Sequence, residues 1–177
     1  PVYTAGDTVG SGTALSYYEH ASGAGQTSTY THSTTVEGST YDYAVYAFDL
    51  YNNYSTAVTV SETPDLTPPS SVSLDIVDSV TEFSLSWVNP TESDLAGVIV
   101  VRRLGGAPTG TPSDGTQYDL GASVMSGNVV YTGTDEAHTD TNVIANGTAY
   151  HYAAIPFDTK LNYGTPLFAS DTIAQVL

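Results

Sequence analysis

The chain is expected to be all-β and built from β-sandwich modules. Three observations predict this. Short runs rich in Val, Thr and Tyr, bounded by Gly, Pro, Asn and Asp, recur along its length. Helical periodicity is nearly absent. A twelve-residue stretch near the middle of the first half returns in the second. With 177 residues the chain has room for one large domain or two small ones.

The strand-like runs of the second half are 72–76, 82–88, 97–103, 129–131, 138–140, 149–157 and 167–173. Seven strands in about 110 residues is the density of a sandwich. Phe83, Leu85 and Trp87 alternate, so the single Trp points to the core side with its two apolar neighbours. Tyr41 and Tyr150 read as corner tyrosines whose hydroxyls bond back to the backbone.

The repeat runs from Gly38 to Asp49 and again from Gly147 to Asp158, 109 positions later, and Asn53-Tyr54 returns as Asn162-Tyr163 at the same spacing. Upstream, Tyr3, Gly6, Val9 and Gly12 match Tyr118, Gly121, Val124 and Gly127 at a spacing of 115, the difference being a loop insertion around Ser22 to Gln26. The first copy has no counterpart of Pro68 through roughly Gly115. It is therefore expected to be an incomplete sandwich over residues 1–63, followed by a Pro-stiffened linker over 64–69 and a complete sandwich over 70–177. An open half-sandwich exposes a strand edge and an apolar face. Two explanations stay open: a truncated fragment, or completion by strands of another chain.

Lys+Arg number 3 and Asp+Glu 19, a formal net charge of −16 that repels phosphate backbones and anionic lipid, so nucleic acid and bare membrane are poor partners. Only 12% of residues are charged, and a surface of hydroxyls and amides leans towards an extracellular or cell-surface location. The absence of Cys excludes disulfides, thiolate metal sites and cysteine nucleophiles. No apolar run is long enough to span a bilayer. Pro1 reads as an internal or processed start.

Several residues in order resemble the fibronectin type III family, in the variant found in tandem on bacterial secreted and surface proteins. These are Pro68-Pro69, Leu85-Ser86-Trp87 with Asn89-Pro90, Asp94-Leu95-Ala96-Gly97-Val98, and Asn146-Gly147-Thr148-Ala149-Tyr150. The resemblance covers residues 68–177 fully and 1–63 only from the family's middle onward. It implies tandem immunoglobulin-like sandwiches that act as spacer, scaffold or binding surface without catalysis. Arg102 stands where the family often carries an aromatic, and Pro156 replaces the Ala47 of the first copy, which questions strand pairing there.

Val98-Ile99-Val100-Val101 is apolar without alternation, and Ala153-Ala154-Ile155-Pro156-Phe157 nearly so, which means both faces of these strands are covered. Ile99, Val101, Ala153, Ile155 and Phe157 share the outward face, matched by Ala44, Tyr46 and Phe48 in the first copy. This face is expected to pack against another module or copy of the protein; coverage by its own loops is the alternative.

No nucleophile elbow, phosphate loop or zinc-protease motif is present, and His20, His32, His138 and His151 show no converging spacing. Asp135, Glu136 and Asp140 read as solvated. Asp49, Asn52, Asp158 and Asn162 place oxygen ligands at one sandwich end, a weak calcium candidate against the simpler role of turn capping. No other cofactor is expected. Tyr17, Tyr18, Tyr51, Tyr54 and Tyr163 are loop aromatics suited to stacking on polysaccharide or anchoring a protein contact. The expected function is a non-catalytic structural module of a surface protein or filament, with adhesion through loop tyrosines as the alternative.

Overall fold

The computed structural model describes residues 5, 8–9, 12–15, 29–79, 81–144 and 147–173. Two compact units divide between Asp65 and Leu66, inside the Pro-rich stretch.

The first unit contains β1 (Thr8–Val9) antiparallel to β2 (Gly12–Thr13), and β3 (Tyr41–Val45) antiparallel to β4 (Val58–Glu62). The second contains β5 (Asp75–Asp78), β6 (Phe83–Ser86), β7 (Leu95–Leu104), β8 (Ser123–Val124), β9 (Gly127–Gly133), β10 (Ala137–Asp140), β11 (Tyr150–Asp158) and β12 (Leu167–Asp171). These form a three-stranded sheet in the order β10-β6-β5 and a five-stranded sheet in the order β12-β11-β7-β9-β8. Each of the seven expected strands of this unit is present, although β5 begins at Asp75 and not at Val72.

Between these two sheets lie Phe83, Leu85, Trp87, Val98, Val100, Tyr150, Tyr152 and Ala154, all buried. Trp87 is a core residue, its indole Nε1–H donating to Asn89 Oδ1 at 3.1 Å and its ring 5.1 Å from that of Tyr131. Alternation on β6 decides this: Ser84 and Ser86 face outward while Phe83 and Leu85 are buried.

Asp140, expected to be solvated, is instead buried between the sheets. Its carboxylate accepts both from Arg102 Nη1, at 2.8 Å, and from the Tyr152 hydroxyl, at 2.9 Å, and Arg102 also donates to the Asn142 carbonyl at 2.7 Å. A charge removed from water needs such partners, and Arg102 reaches it from β7 with its guanidinium 5.9 Å from the Tyr150 ring centre. Arg102 thus replaces an aromatic filler with a cross-sheet ion pair.

Pro156 does not interrupt pairing: β11 runs through it opposite Val98. Gly164 N donates to the Pro156 carbonyl at 2.8 Å, so the polar edge of this residue faces the side where β12 has not yet begun. In an antiparallel strand a residue's N–H and C=O point the same way, and the missing N–H is therefore one that β7 never needed.

The outward face of the five-stranded sheet needs a correction. Ile99, Val101, Ala153 and Ile155 are buried together with Val124, Met125 and Val129, with Phe157, Tyr118, Ala122 and Tyr163 packed around them. What covers them is the chain itself, the segment that leads from β7 through β8 into β9. Leaving this apolar face wet would forfeit several kcal/mol, at about 1.5–3 kcal/mol per large side chain. A loop of the same unit satisfies the requirement, and in this unit the face is a second core and not a contact surface.

Two outcomes are expected from these packings. Ile155→Ala should lower the unfolding free energy by about 2–5 kcal/mol in urea titrations run where sedimentation shows monomers, because the cavity opens inside one chain; an unchanged midpoint contradicts the second core. Asp140→Ala should cost about 3 kcal/mol, and replacing Arg102 and Asp140 together by Leu should recover most of it, since the loss comes from stranding a half-buried guanidinium.

Candidate functional site

The sequence spacings recur as structure. Thr8↔Thr13 and Val9↔Gly12 in the first unit pair as Ser123↔Asn128 and Val124↔Gly127 do in the second, 115 positions on. The register Tyr41↔Glu62 through Val45↔Val58 returns, 109 positions on, as Tyr150↔Asp171 through Ala154↔Leu167. The bridge Phe48↔Tyr54 returns as Phe157↔Tyr163. β3 and β4 are therefore the local counterparts of β11 and β12.

The approach to β3 is held as in the second unit. Val36 N–H donates to the Tyr41 phenol oxygen at 2.9 Å, as Ile144 N–H does to Tyr150 at 2.9 Å. Gly38 and Gly147 supply the left-handed turn before each strand, at φ 70° and 73°. Beyond this corner the two units part. In the second, Tyr152 bonds Asp140, which holds Arg102. In the first, the Tyr43 hydroxyl is hydrogen-bonded to His32 Nδ1 at 2.9 Å, and His32 Nε2 lies 3.2 Å from Thr34 Oγ1. The imidazole also meets Tyr41 and Tyr43 edge-on, at 5.3 and 6.0 Å between ring centres.

Coverage is the larger difference. On β11 the inward residues Tyr150, Tyr152 and Ala154 are buried. On the equivalent face of the first unit Val45 is 67% exposed, Val58 73% and Val60 59%, and Tyr43↔Val60 and Val45↔Val58 place them side by side. β11 is hydrogen-bonded on both edges, to β7 and β12, whereas among the described residues β3 is paired only with β4. Among the described residues the site is thus an open apolar face beside a strand edge that pairs on one side only. On the reverse side Ala44 and Tyr46 are exposed, Phe48 is half-buried against Tyr54 with ring centres 5.6 Å apart, and Asp42 accepts from the Ser61 hydroxyl. Sequence reasoning picked out Ala44, Tyr46 and Phe48 but passed over His32, Val45, Val58 and Val60. The 109-residue spacing carried part of that signal, because it maps Val45 onto buried Ala154, while Val58 and Val60 map onto the exposed Leu167 and the half-buried Ala169.

The acidic turns have a turn-capping geometry. Asp49 Oδ1 accepts from Tyr51 N and Asn53 N at 2.9 Å each, and Oδ2 accepts from Asn53 Nδ2 at 2.8 Å. Asp158 repeats this with Lys160 N, Asn162 N and Asn162 Nδ2, at 2.8, 2.9 and 2.7 Å. The Asn53 amide holds the Asp49 carboxyl below its usual range. Asn52, grouped with the oxygen ligands in the sequence reading, instead fills the left-handed position of the turn at φ 61°, as Leu161 does at 63°. The true counterpart of Asn162 is Asn53, four residues after its Asp.

Of the loop tyrosines, Tyr17 and Tyr18 lie outside the described residues. Tyr51 is 86% exposed at a turn tip beside Leu50, which is 99% exposed. Tyr163 is committed elsewhere: its hydroxyl donates to the Thr116 carbonyl at 2.8 Å, its amide donates to Asp114 Oδ1 at 2.9 Å, and its ring packs on Tyr118 and Phe157. It pins the covering segment onto the sheet. Two shallow hollows open on the second unit, of about 280 Å³ around Arg102, Arg103 and Tyr150 and about 340 Å³ around His151 and Phe168. Neither is lined by a carboxylate.

Burial, followed by the neighbouring Tyr118, pushes the Tyr163 phenol up to about 12. A raised folded value means the stabilisation is whole below the unfolded value of about 10 and is lost as pH climbs from there to about 12. Absorbance titration should show Tyr163 among the late-ionising tyrosines, beside Tyr131 and Tyr152, with stability falling over that window. Tyr163→Phe should reduce the late amplitude by one tyrosine and cost about 1 kcal/mol through the lost bond to Thr116.

No match was found among protein-family models or among curated proteins. Solved structures do match. The FN1-FN3 domains of chicken CNTN1 are 17% identical over 82% of this chain and 46% of that one, with a TM-score of 0.54. The extracellular domains d3-d4 of rat CD45 are 14% identical over 93% of this chain and 90% of theirs, at 0.43. The spore cortex lytic enzyme SleM of Clostridium perfringens is 16% identical over 69% of this chain, at 0.43. The chain spans about a third of SleM and just under half of the contactin fragment. By sheet order and by the contactin match, the fold is a β-sandwich of the fibronectin type III kind.

Proposed function

We propose that the chain is a non-catalytic, extracellular structural module, part of a surface protein or filament, which joins its neighbours through the open face of the first unit. One observation carries this: Val45 is exposed where its counterpart in the second unit, Ala154, is fully buried, and Val58 and Val60 lie exposed on the same face. Three apolar side chains on one face, next to a strand edge unpaired among the described residues, form the kind of surface that proteins normally cover. The two units are then read as tandem copies of one sandwich fold. The acidic charge suits a secreted, saline setting, where it keeps the chain soluble between contacts.

A second reading, adhesion to a polysaccharide or protein, is favoured by the fully presented Leu50 and Tyr51 at the β3–β4 turn tip. An amphipathic ring held on a capped, ordered turn stacks at little entropic cost.

Sedimentation velocity over a concentration series separates the two. The structural module should show concentration-dependent assembly without ligand, abolished by Val60→Asp and unaffected by Tyr51→Ala. Retention on insoluble glycan that is lost with Tyr51→Ala, in a chain monomeric at every concentration, overturns the structural reading in favour of adhesion.

A further inference from the structure

Arg102 holds its buried carboxylate by one corner only. Nη1 donates to both Asp140 oxygens, at 2.9 and 2.8 Å, and to the Asn142 carbonyl at 2.7 Å, while Nε and Nη2 have no hydrogen-bond partner among the described residues. Arg103 is alike: its Nη1 donates to the Ala107 carbonyl at 2.8 Å, and its Nε and Nη2 bond nothing among the described residues. Among those residues no buried side-chain nitrogen or oxygen lacks a hydrogen bond, so the unused N–H groups of both arginines are open to solvent. Both residues line the hollow of about 280 Å³ at the end of β7.

The Nε–Nη2 edge of a guanidinium offers two parallel donors that match the two oxygens of a carboxylate. In Arg102 this edge is held in place beforehand, because Asp140 and Asn142 fix Nη1 and the Tyr150 ring centre lies 5.9 Å from the guanidinium carbon. An arriving anion therefore meets a fork whose rotamer freedom is already lost. Arg102 and Arg103 set against Asp140 leave a single positive charge, and no carboxylate lines the hollow, in a chain whose formal net charge is −16. That balance suits a monoanion. Leu104, 50% exposed, and Ile144, 69% exposed, stand on the same hollow and give it an apolar side. Small-ligand pockets ordinarily begin at about 300 Å³, so the space suits one residue and its carboxylate better than a long ligand.

We propose that the hollow at the end of β7 binds the C-terminal carboxylate of a peptide that ends in an apolar residue. The Nε–Nη2 edge of Arg102 takes the carboxylate, Arg103 supplies the charge, and Leu104 and Ile144 meet the terminal side chain. The hollow lies wholly within the second unit, so this inference goes beyond the assembly reading and does not depend on it.

The test is amide NMR on the isotopically labelled full chain, titrated with N-acetyl-leucine, with N-acetyl-leucinamide and with glucuronate, an acid that carries no apolar side chain. N-acetyl-leucine should shift the Asn128 and Asn142 amides saturably and move the Arg102 Nε–H resonance downfield, as a carboxylate bonded to that edge does. The amide should do neither, and glucuronate should bind about threefold more weakly or worse, because Leu104 and Ile144 gain no contact. Arg103→Gln, at a half-exposed position, should weaken N-acetyl-leucine binding about two- to fivefold. Arg102→Lys, which keeps the charge and loses the fork, should weaken it about tenfold. If Arg102→Lys disturbs the fold, the Arg102 Nε–H response in the unchanged chain decides. An Arg102 Nε–H that stays in place, equal responses to N-acetyl-leucine and its amide, or glucuronate binding as tightly as N-acetyl-leucine overturns the proposal.

Discussion

A β-sheet has two faces, and an apolar strand at its centre needs both covered. Everything specific to this protein follows from how its two units meet that requirement. In the second unit β7 and β11 are apolar on both sides, and each side has its own core: the three-stranded sheet on one, the segment leading to β8 on the other. In the first unit the same central strand is present as β3, with the same corner and the same turn, but its inner face carries exposed valines. One backbone pattern appears twice with opposite answers to the same solvation problem.

Polar groups mark where the covering is complete. The Asp140 carboxylate sits between two sheets, and its burial is tolerable because Arg102 and Tyr152 both bond it. The desolvated Tyr152 phenol, next to that carboxylate, is held neutral well above the usual tyrosine range. His32 in the first unit is only half-buried and serves Tyr43 as Asp140 serves Tyr152. A histidine there avoids leaving a bare carboxylate without its cationic partner, so the substitution is consistent with a seat not occupied by arginine.

Much of the fold was legible from the residues because its signals are local. Alternation marked Phe83, Leu85 and Trp87 as core, and the two spacings of 109 and 115 mark the same pairings in the structure to the residue. Less legible was anything decided by a long-range partner. The apolar outer face was recognised as covered, but the cover is a loop whose contributing residues, Tyr118, Val124 and Met125, are too scattered to show a period. Asp140 looked solvated because its ion-pair partner stands 38 residues away on another sheet. Tyr163 looked like a free loop aromatic because its anchor, Thr116, is 47 residues away. Asn52 was grouped with the oxygen ligands by residue type, although the 109-residue spacing already set Asn53 opposite Asn162; the backbone makes Asn52 the left-handed link and Asn53 the capping side chain.

The β3–β4 ribbon is held largely by bonds within its own neighbourhood. Gly38 N donates to the Pro64 carbonyl, the Thr40 and Thr63 hydroxyls pair across its open end, Tyr41 fixes the entry, and Asp49 and Ser55 close the turn. Each of these bonds is made within residues 36–64, so the shape of the ribbon is set locally. A two-stranded ribbon alone is marginal in water, and local bonding of this sort sets conformation more than it supplies stability. The combination has a defined consequence for recognition. The ribbon's ordering entropy is met in advance while its apolar surface stays exposed, so any strand that pairs there gains burial without also having to organise its acceptor.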